Sequence, residues 1–186
     1  MTAPSRTARL LPVLVLAGVV TVASMLVDAH AARAASPTRV PRAAATLDRI
    51  ELTQVRLINQ HRRARGLPVL RVDASLTRAA GWMALDLGRS ARFAHTDSLG
   101  RDPFDRLRAF GYPSRDTWRG ENLAAGNPRP GPTFRQWRTS PLHYRNMIHP
   151  RYHAIGIARV RVAGSPFRWY WATTFGSRWI APPAAA

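Results

Sequence analysis

Three side chains of this sequence carry the chemistry of a site. They are His95 in Phe93-Ala94-His95, Glu121 in Gly120-Glu121-Asn122, and His143 in Ser140-Pro141-Leu142-His143. Two imidazoles and a carboxylate are the donor types of an open hydrolytic zinc centre, where water takes the remaining position. His95 and His143 are therefore candidate metal ligands, with Glu121 a candidate third, and Asn122 and Ser140 are their candidate neighbours in the same site. Without a metal, His95 and Glu121 can form a general acid–base pair, with Ser140 the nearest hydroxyl to His143. A zinc peptidase needs a base beyond its ligands, and no second carboxylate is evident. No catalytic residue is assigned beyond the candidates His95, Glu121 and His143. The chain has only two glutamates, Glu51 and Glu121, so Glu121 is not surface filler. Its structural alternative is a carboxylate tying loop amides together. The compact His-x-x-x-His signature is absent, so only the fold can bring these residues together.

The elements that must do so are legible from periodicity. Leu47, Ile50, Leu57 and Ile58 share one helical face, interrupted by Gln54, with Arg56, Arg62 and Arg63 outside it. Thr46 or Asp48 can cap this first helix, and Gly66 with Pro68 ends it before a short extended link over 67–70. A second helix starts near Asp73 or Ser75 and carries the stripe Leu76, Ala79, Ala80, Met83, Ala84, Leu87. His95 lies just past its end. Asp102-Pro103 opens a third helix, with Phe104, Leu107 and Phe110 facing inward and Gly111 as its stop. Residues 118–124 read as extended and hold Glu121; 126–132 reads as a turn-rich loop. Residues 134–147 are helical but broken at Pro141, and hold His143. Residues 155–162 and 167–175 read as two strands joined at Gly164-Ser165-Pro166. Helices first and strands last, without βαβ alternation, predict an α+β fold with an antiparallel sheet.

Arg6 and Arg9 precede an apolar run over Leu10–Val27, and small residues follow through Ala34. This is the pattern of a signal peptide over 1–34 and of secretion, the alternative being an anchor formed by an uncleaved 10–27 segment. No paired arginine marks a twin-arginine signal. A Pro/Ala/Arg-rich linker over 35–46, a folded domain over 47–180 and a Pro/Ala tail over 181–186 complete the expected organisation. The sequence has 186 residues, 46% of them hydrophobic and 20% charged, a balance that excludes wholesale disorder. With no cysteine there is no disulfide, no thiolate ligand and no cysteine nucleophile. All 28 basic residues are arginine, which excludes a P-loop lysine, a Schiff-base lysine and a Ser-Lys pair. Loss of Arg6, Arg9, Arg33 and Asp28 with the signal peptide would lower the net charge from +18 to +16. Arginine without lysine, beside abundant Ala, Pro and Gly, is also what a GC-rich coding bias produces, so the charge is discounted as a functional signal.

Several segments occur in an order that resembles the CAP superfamily of cysteine-rich secretory, antigen 5 and pathogenesis-related 1 proteins, of the bacterial SCP-like type. They are Leu57-Ile58-Asn59-Gln60-His61-Arg62 with Gly66-Leu67-Pro68, Phe93-Ala94-His95, Gly120 to Gly126, Trp137 to Met147, and Ile155-Gly156-Ile157 with Tyr170 to Gly176. The resemblance spans about Leu47 to Gly176 and implies a three-layer α-β-α sandwich with a small antiparallel sheet between helices. It also implies a cleft in which two histidines and two glutamates gather, with a divalent metal between the histidines. His95 and His143 take the histidine places and Glu121 the first glutamate place; Ser140 stands at the second. Leu142 stands where the family pattern has glycine, and is expected to crowd the cleft.

The expected function is a secreted, non-catalytic binding module whose His/Glu cleft takes a divalent metal of the zinc type or a small apolar ligand. One alternative is a metal-assisted, peptidase-like hydrolase using the same cleft. Another is a polyanion or cell-envelope binder acting through the arginines. A lipid or envelope component is the expected partner, with no specific nucleic acid, since the arginines form no tight run interleaved with aromatics. The chain is expected as a monomer without a stable membrane span after cleavage. His149 and His153 flank a loop and are a second candidate metal pair, and His61 reads as an exposed helix-end histidine. Trp118, Trp137, Trp169, Trp171 and Trp179 read as core or rim residues, some of them able to stack on carbohydrate or lipid.

Overall fold

A computed structural model describes residues 46–113 and 115–181. The expected signal peptide, most of the linker and the last five residues lie outside them. Among the described residues, no helix is long and apolar enough to cross a membrane.

The elements are α1 (Arg49–Arg63), β1 (Arg71–Val72), α2 (Ala74–Arg89), α3 (Pro103–Ala109), β2 (Arg119–Ala125), α4 (Pro130–Thr139), α5 (Pro141–Ile148), β3 (Ala154–Arg161) and β4 (Trp169–Gly176). The sheet order is β1-β3-β4-β2. The β3–β4 and β4–β2 pairs are antiparallel. The two-residue β1 pairs parallel to β3, an addition to the antiparallel sheet expected from the sequence. A pair that short lies below the length at which a period can be read.

Helices cover both faces of the sheet, giving the three-layer sandwich. On one face α2 lays Ala80, Met83, Ala84 and Leu87 against Leu123, Ala158, Tyr170 and Ala172. Beside it, α2 and α3 share a smaller core built on Leu76, Ala79, Leu107 and Phe110. On the other face α1, α4 and α5 pack Val55, Ile58, Trp137 and Met147 against Ile155, Ile157, Trp171 and Phe175. The α2 stripe read from the sequence is therefore the core-facing stripe. The close approach of α2 to β3 requires Gly156: a Cβ there would run into the Leu76 carbonyl and the Thr77 nitrogen.

Capping explains the helix starts. Asp48 forms a reciprocal capping box with Glu51, and Asp73 accepts from the backbone amides of Ser75 and Leu76. The α4 helix begins at Pro130, inside the stretch expected as loop, because proline at the first turn presets φ and sacrifices no intrahelical hydrogen bond. Two polar residues of α1 also depart from expectation. Arg62 and Gln54 are both fully buried. The Arg62 guanidinium donates to the carbonyls of Pro68, Met147, His149 and Tyr152, which tie the loop after α5 to α1. Burial pushes its pKa down to about 10, so it stays a cation at neutral pH. Phe104, expected to face inward, is 45% exposed and lies beneath the Arg119 guanidinium.

Candidate functional site

The terminal strand β2 organises the site, because alternate residues serve opposite faces of the sheet. Leu123 packs into the α2 core and Ala124 into the α1/α4/α5 core. By the same alternation Glu121 faces the α2/α3 side and Asn122 the α4/α5 side. His95, in the loop between α2 and α3, reaches Glu121 from one side. His143, on α5, stands over Asn122 on the other. The two histidines thus flank the edge strand β2, one on either face of the sheet. Gly120 keeps this edge open to its neighbours, since a Cβ there would lie 2.5 Å from the Tyr152 hydroxyl and 3.0 Å from Asn146 Oδ1.

The His95 half is built on buried ion pairs. His95 Nδ1 lies 2.8 Å from Glu121 Oε1, the imidazole half-exposed and the carboxylate buried. The other oxygen, Oε2, accepts from the wholly buried Arg106 at 2.5 Å. Arg106 also donates to the His95 carbonyl at 3.2 Å and sits 3.7 Å from Asp97. Asp97 is buried and accepts from the amides of Leu99 and Arg101, the Arg101 guanidinium and the Trp82 indole. Burial alone would raise the Asp97 pKa, but the Arg101 hydrogen bonds and the nearby Arg101 and Arg106 charges outweigh it and hold it below the ordinary range. Asp86 fastens the same loop from α2 by accepting from the backbone and hydroxyl of Ser98. The loop carrying His95 is thus tied down from α2, α3 and β2.

The His143 half is lighter. His143 Nδ1 pairs with Ser140 Oγ at 2.9 Å, so the hydroxyl at the family's second glutamate place supports the ring. Asn122 donates to the His143 carbonyl, and Asn146 donates to Asn122 Oδ1 and to the Glu121 carbonyl. Burial, and then the charge of a protonated His95, push the His143 pKa below its ordinary value. His95 thus lies near enough for its charge to reach His143 around the edge of β2. Leu142 projects into solvent at 66% exposure, so it does not fill the cleft as its position suggested.

The residues expected from the sequence therefore come together, but with divided roles. Each imidazole is engaged through Nδ1, and neither Nε2 makes a hydrogen bond among the described residues. In the tautomer that protonates Nδ1, both Nε2 lone pairs are available, the arrangement in which an outer partner orients a metal-ligating histidine. This donor set suits a borderline transition metal such as zinc, with water or a ligand completing its shell. Glu121, considered above as a third ligand, has both oxygens committed to His95 and Arg106. Among the described residues, no group of three or more His, Asp or Glu side chains is arranged to hold a metal ion. The second candidate pair is built differently: His149 stacks on Tyr152 at 4.3 Å and lies against Trp118, and its Nδ1 accepts from the Arg151 amide. His61 is packed edge-on between Phe134 and Tyr144 rather than exposed. Sequence reasoning missed Arg106, Asp97 and Asn146. Arg106 is one of 28 arginines, and only its position one residue before the buried Leu107 set it apart.

Residues 55–175 match the family model described as the CAP, cysteine-rich secretory protein family. A Bacillus subtilis protein, YkwD, is 30% identical over 106 residues, which cover 57% of this chain and 40% of that protein. Among solved structures, an outer surface protein of Borrelia burgdorferi superposes with a TM-score of 0.61 at 24% identity, over 68% of this chain and 91% of that one. A Bacillus anthracis extracellular protein containing an SCP domain gives 0.59 at 21% identity, over 67% of this chain and 39% of that one. These structural likenesses concern the fold.

Proposed function

The chain belongs to the CAP, cysteine-rich secretory protein, family, and on that premise we propose that it is an exported binding module holding a divalent transition metal between His95 and His143 without turning over a substrate. The observation that carries this reading is the pair of oriented imidazoles. Glu121 holds Nδ1 of one ring and Ser140 holds Nδ1 of the other, which leaves both Nε2 atoms without a partner in the protein. A metal held by these two imidazoles would supply Lewis-acid character toward water or a ligand. The residues around it do positioning work. Arg106 and Asp97 hold the His95 loop, Asn122 and Asn146 fix the His143 backbone, and the lowered pKa keeps His143 a neutral donor at neutral pH.

The commitment of Glu121 to Arg106 and His95 supports binding over hydrolysis, because a hydrolase needs a base free to take a proton from water. Export is supported by the signal-peptide pattern over 1–34 and by the extracellular relative from Bacillus anthracis. The test is thermal unfolding of the wild type, His95→Ala and His143→Ala with and without zinc, at about pH 7.5 and about pH 5.5. Zinc should raise the wild-type melting temperature at the higher pH and much less at the lower, and should move neither variant. Equal shifts in all three proteins would place the metal elsewhere, such as His149 and His153. No shift in the wild type would defeat the reading.

A further inference from the structure

Two residues before His95, the chain carries an apolar feature that the metal reading does not use. Phe93 and Phe167 are 50% and 52% exposed, and their rings meet edge-on at 6.4 Å. With Ala125 and Gln136 they line a hollow of about 250 Å³. Phe167 is braced from below by the buried Tyr170 ring, 6.2 Å away. Phe167 adjoins one non-glycine residue with left-handed backbone, Arg168 at φ 62°, and Phe93 lies two residues after another, Ala91 at φ 53°. L side chains rarely adopt that conformation, and such strain gathers at functional sites. Two strained turns thus hold up two aromatic rings whose outer faces gain nothing from folding.

The charge around them is of one sign. The three segments that meet at the hollow, residues 87–96, 125–139 and 159–170, contain no aspartate or glutamate. Arg92, Arg135 and Arg168, the chain neighbours of Phe93, Gln136 and Phe167, are exposed. None of the three makes an ion pair among the described residues. A second copy of the chain would set arginine against arginine here. The hollow is also smaller than the roughly 300–1,000 Å³ of pockets that enclose a ligand. What suits it is an anionic surface with an apolar layer beneath.

We propose that the Phe93–Phe167 face docks on an anionic lipid bilayer, the two rings entering at headgroup depth while the flanking arginines meet lipid phosphates. Phenylalanine is among the apolar side chains that interfacial proteins bury at the headgroup boundary, and arginines draw a protein to an anionic leaflet. This surface adjoins the loop of His95 but uses neither imidazole.

The test is co-sedimentation of the exported protein with vesicles of phosphatidylcholine alone and of phosphatidylcholine mixed equally with phosphatidylglycerol. The wild type should bind the mixed vesicles, less as salt is added, and not the neutral ones. Because both rings are exposed, Phe93→Ser/Phe167→Ser should keep the wild-type melting temperature while its vesicle affinity falls roughly tenfold or more. Arg92→Gln/Arg168→Gln should weaken binding as well. In a parallel arm with soluble polyphosphate, the phenylalanine variant should behave as wild type. Equal vesicle binding by the phenylalanine variant and wild type would overturn the proposal in favour of a soluble or wall-borne polyanion. Equal binding to neutral and anionic vesicles would overturn it as well.

Discussion

Replacing Arg106 by methionine tests the ion-pair frame beneath His95. The guanidinium is wholly buried, 2.5 Å from a buried Glu121 oxygen and 3.7 Å from buried Asp97. Methionine fills most of the volume but pairs with neither carboxylate. Glu121 would keep only the His95 ring, and Asp97 would keep Arg101. Removing one partner of a buried ion pair costs about 3–5 kcal/mol, because the other charge is left uncompensated. In a domain of roughly this size each kcal/mol moves the melting temperature by about 3–5 °C, so calorimetry should show a fall of about 10–25 °C. Adding Glu121→Gln should recover part of that loss, since the orphaned group is then neutral. The reasoning is refuted if Arg106→Met costs less than about 1 kcal/mol, or if the second substitution simply adds a further loss.

Gly156→Ala drives a Cβ into the backbone of α2, where no side chain can give way, and should cost about 3 kcal/mol or more. Gly66→Ala, which meets nothing within 4 Å and pays only for its φ of 67°, should cost about 1–2 kcal/mol. Comparable urea midpoints for the two variants would show that the α2–β3 approach is looser than described. Acid should destabilise the apo fold as pH falls below about 6.5. His61, His143 and His149 have pKa values lowered chiefly by burial. The unfolded chain therefore takes up protons near pH 6.5 that the folded chain refuses. Their contribution is complete above that pH and is lost as pH falls through the folded values. Unfolding followed over that range should give a slope that His149→Gln reduces, and stability rising toward acid would contradict the assignment.

Much of the architecture was legible because it rests on apolar periodicity. The α2 stripe from Leu76 to Leu87 and the two closing strands lie within a residue or two of their expected places. Arg62 and Gln54 were not legible, because local periodicity reads polar side chains as solvent-facing. Arg62 is buried through carbonyls at Met147, His149 and Tyr152, some 85 to 90 residues along the chain. The candidate site divides in the same way. His95, Glu121 and His143 announced themselves by residue type and by the resemblance. The commitment of Glu121 to Arg106 depends on α3 packing beside β2, a tertiary fact with no local signature. Ser140 looked like a missing glutamate, yet it is the group that supports the His143 ring.

The metal reading is tested most directly by crystals of the exported protein soaked in zinc, with diffraction recorded on both sides of the zinc absorption edge. The account predicts one anomalous peak about 2.0–2.1 Å from both His95 Nε2 and His143 Nε2. Glu121 should remain on Arg106 and Ser140 on His143 Nδ1. A peak at His149 or His153 alone, or a zinc ion held by Glu121 released from Arg106, would contradict it.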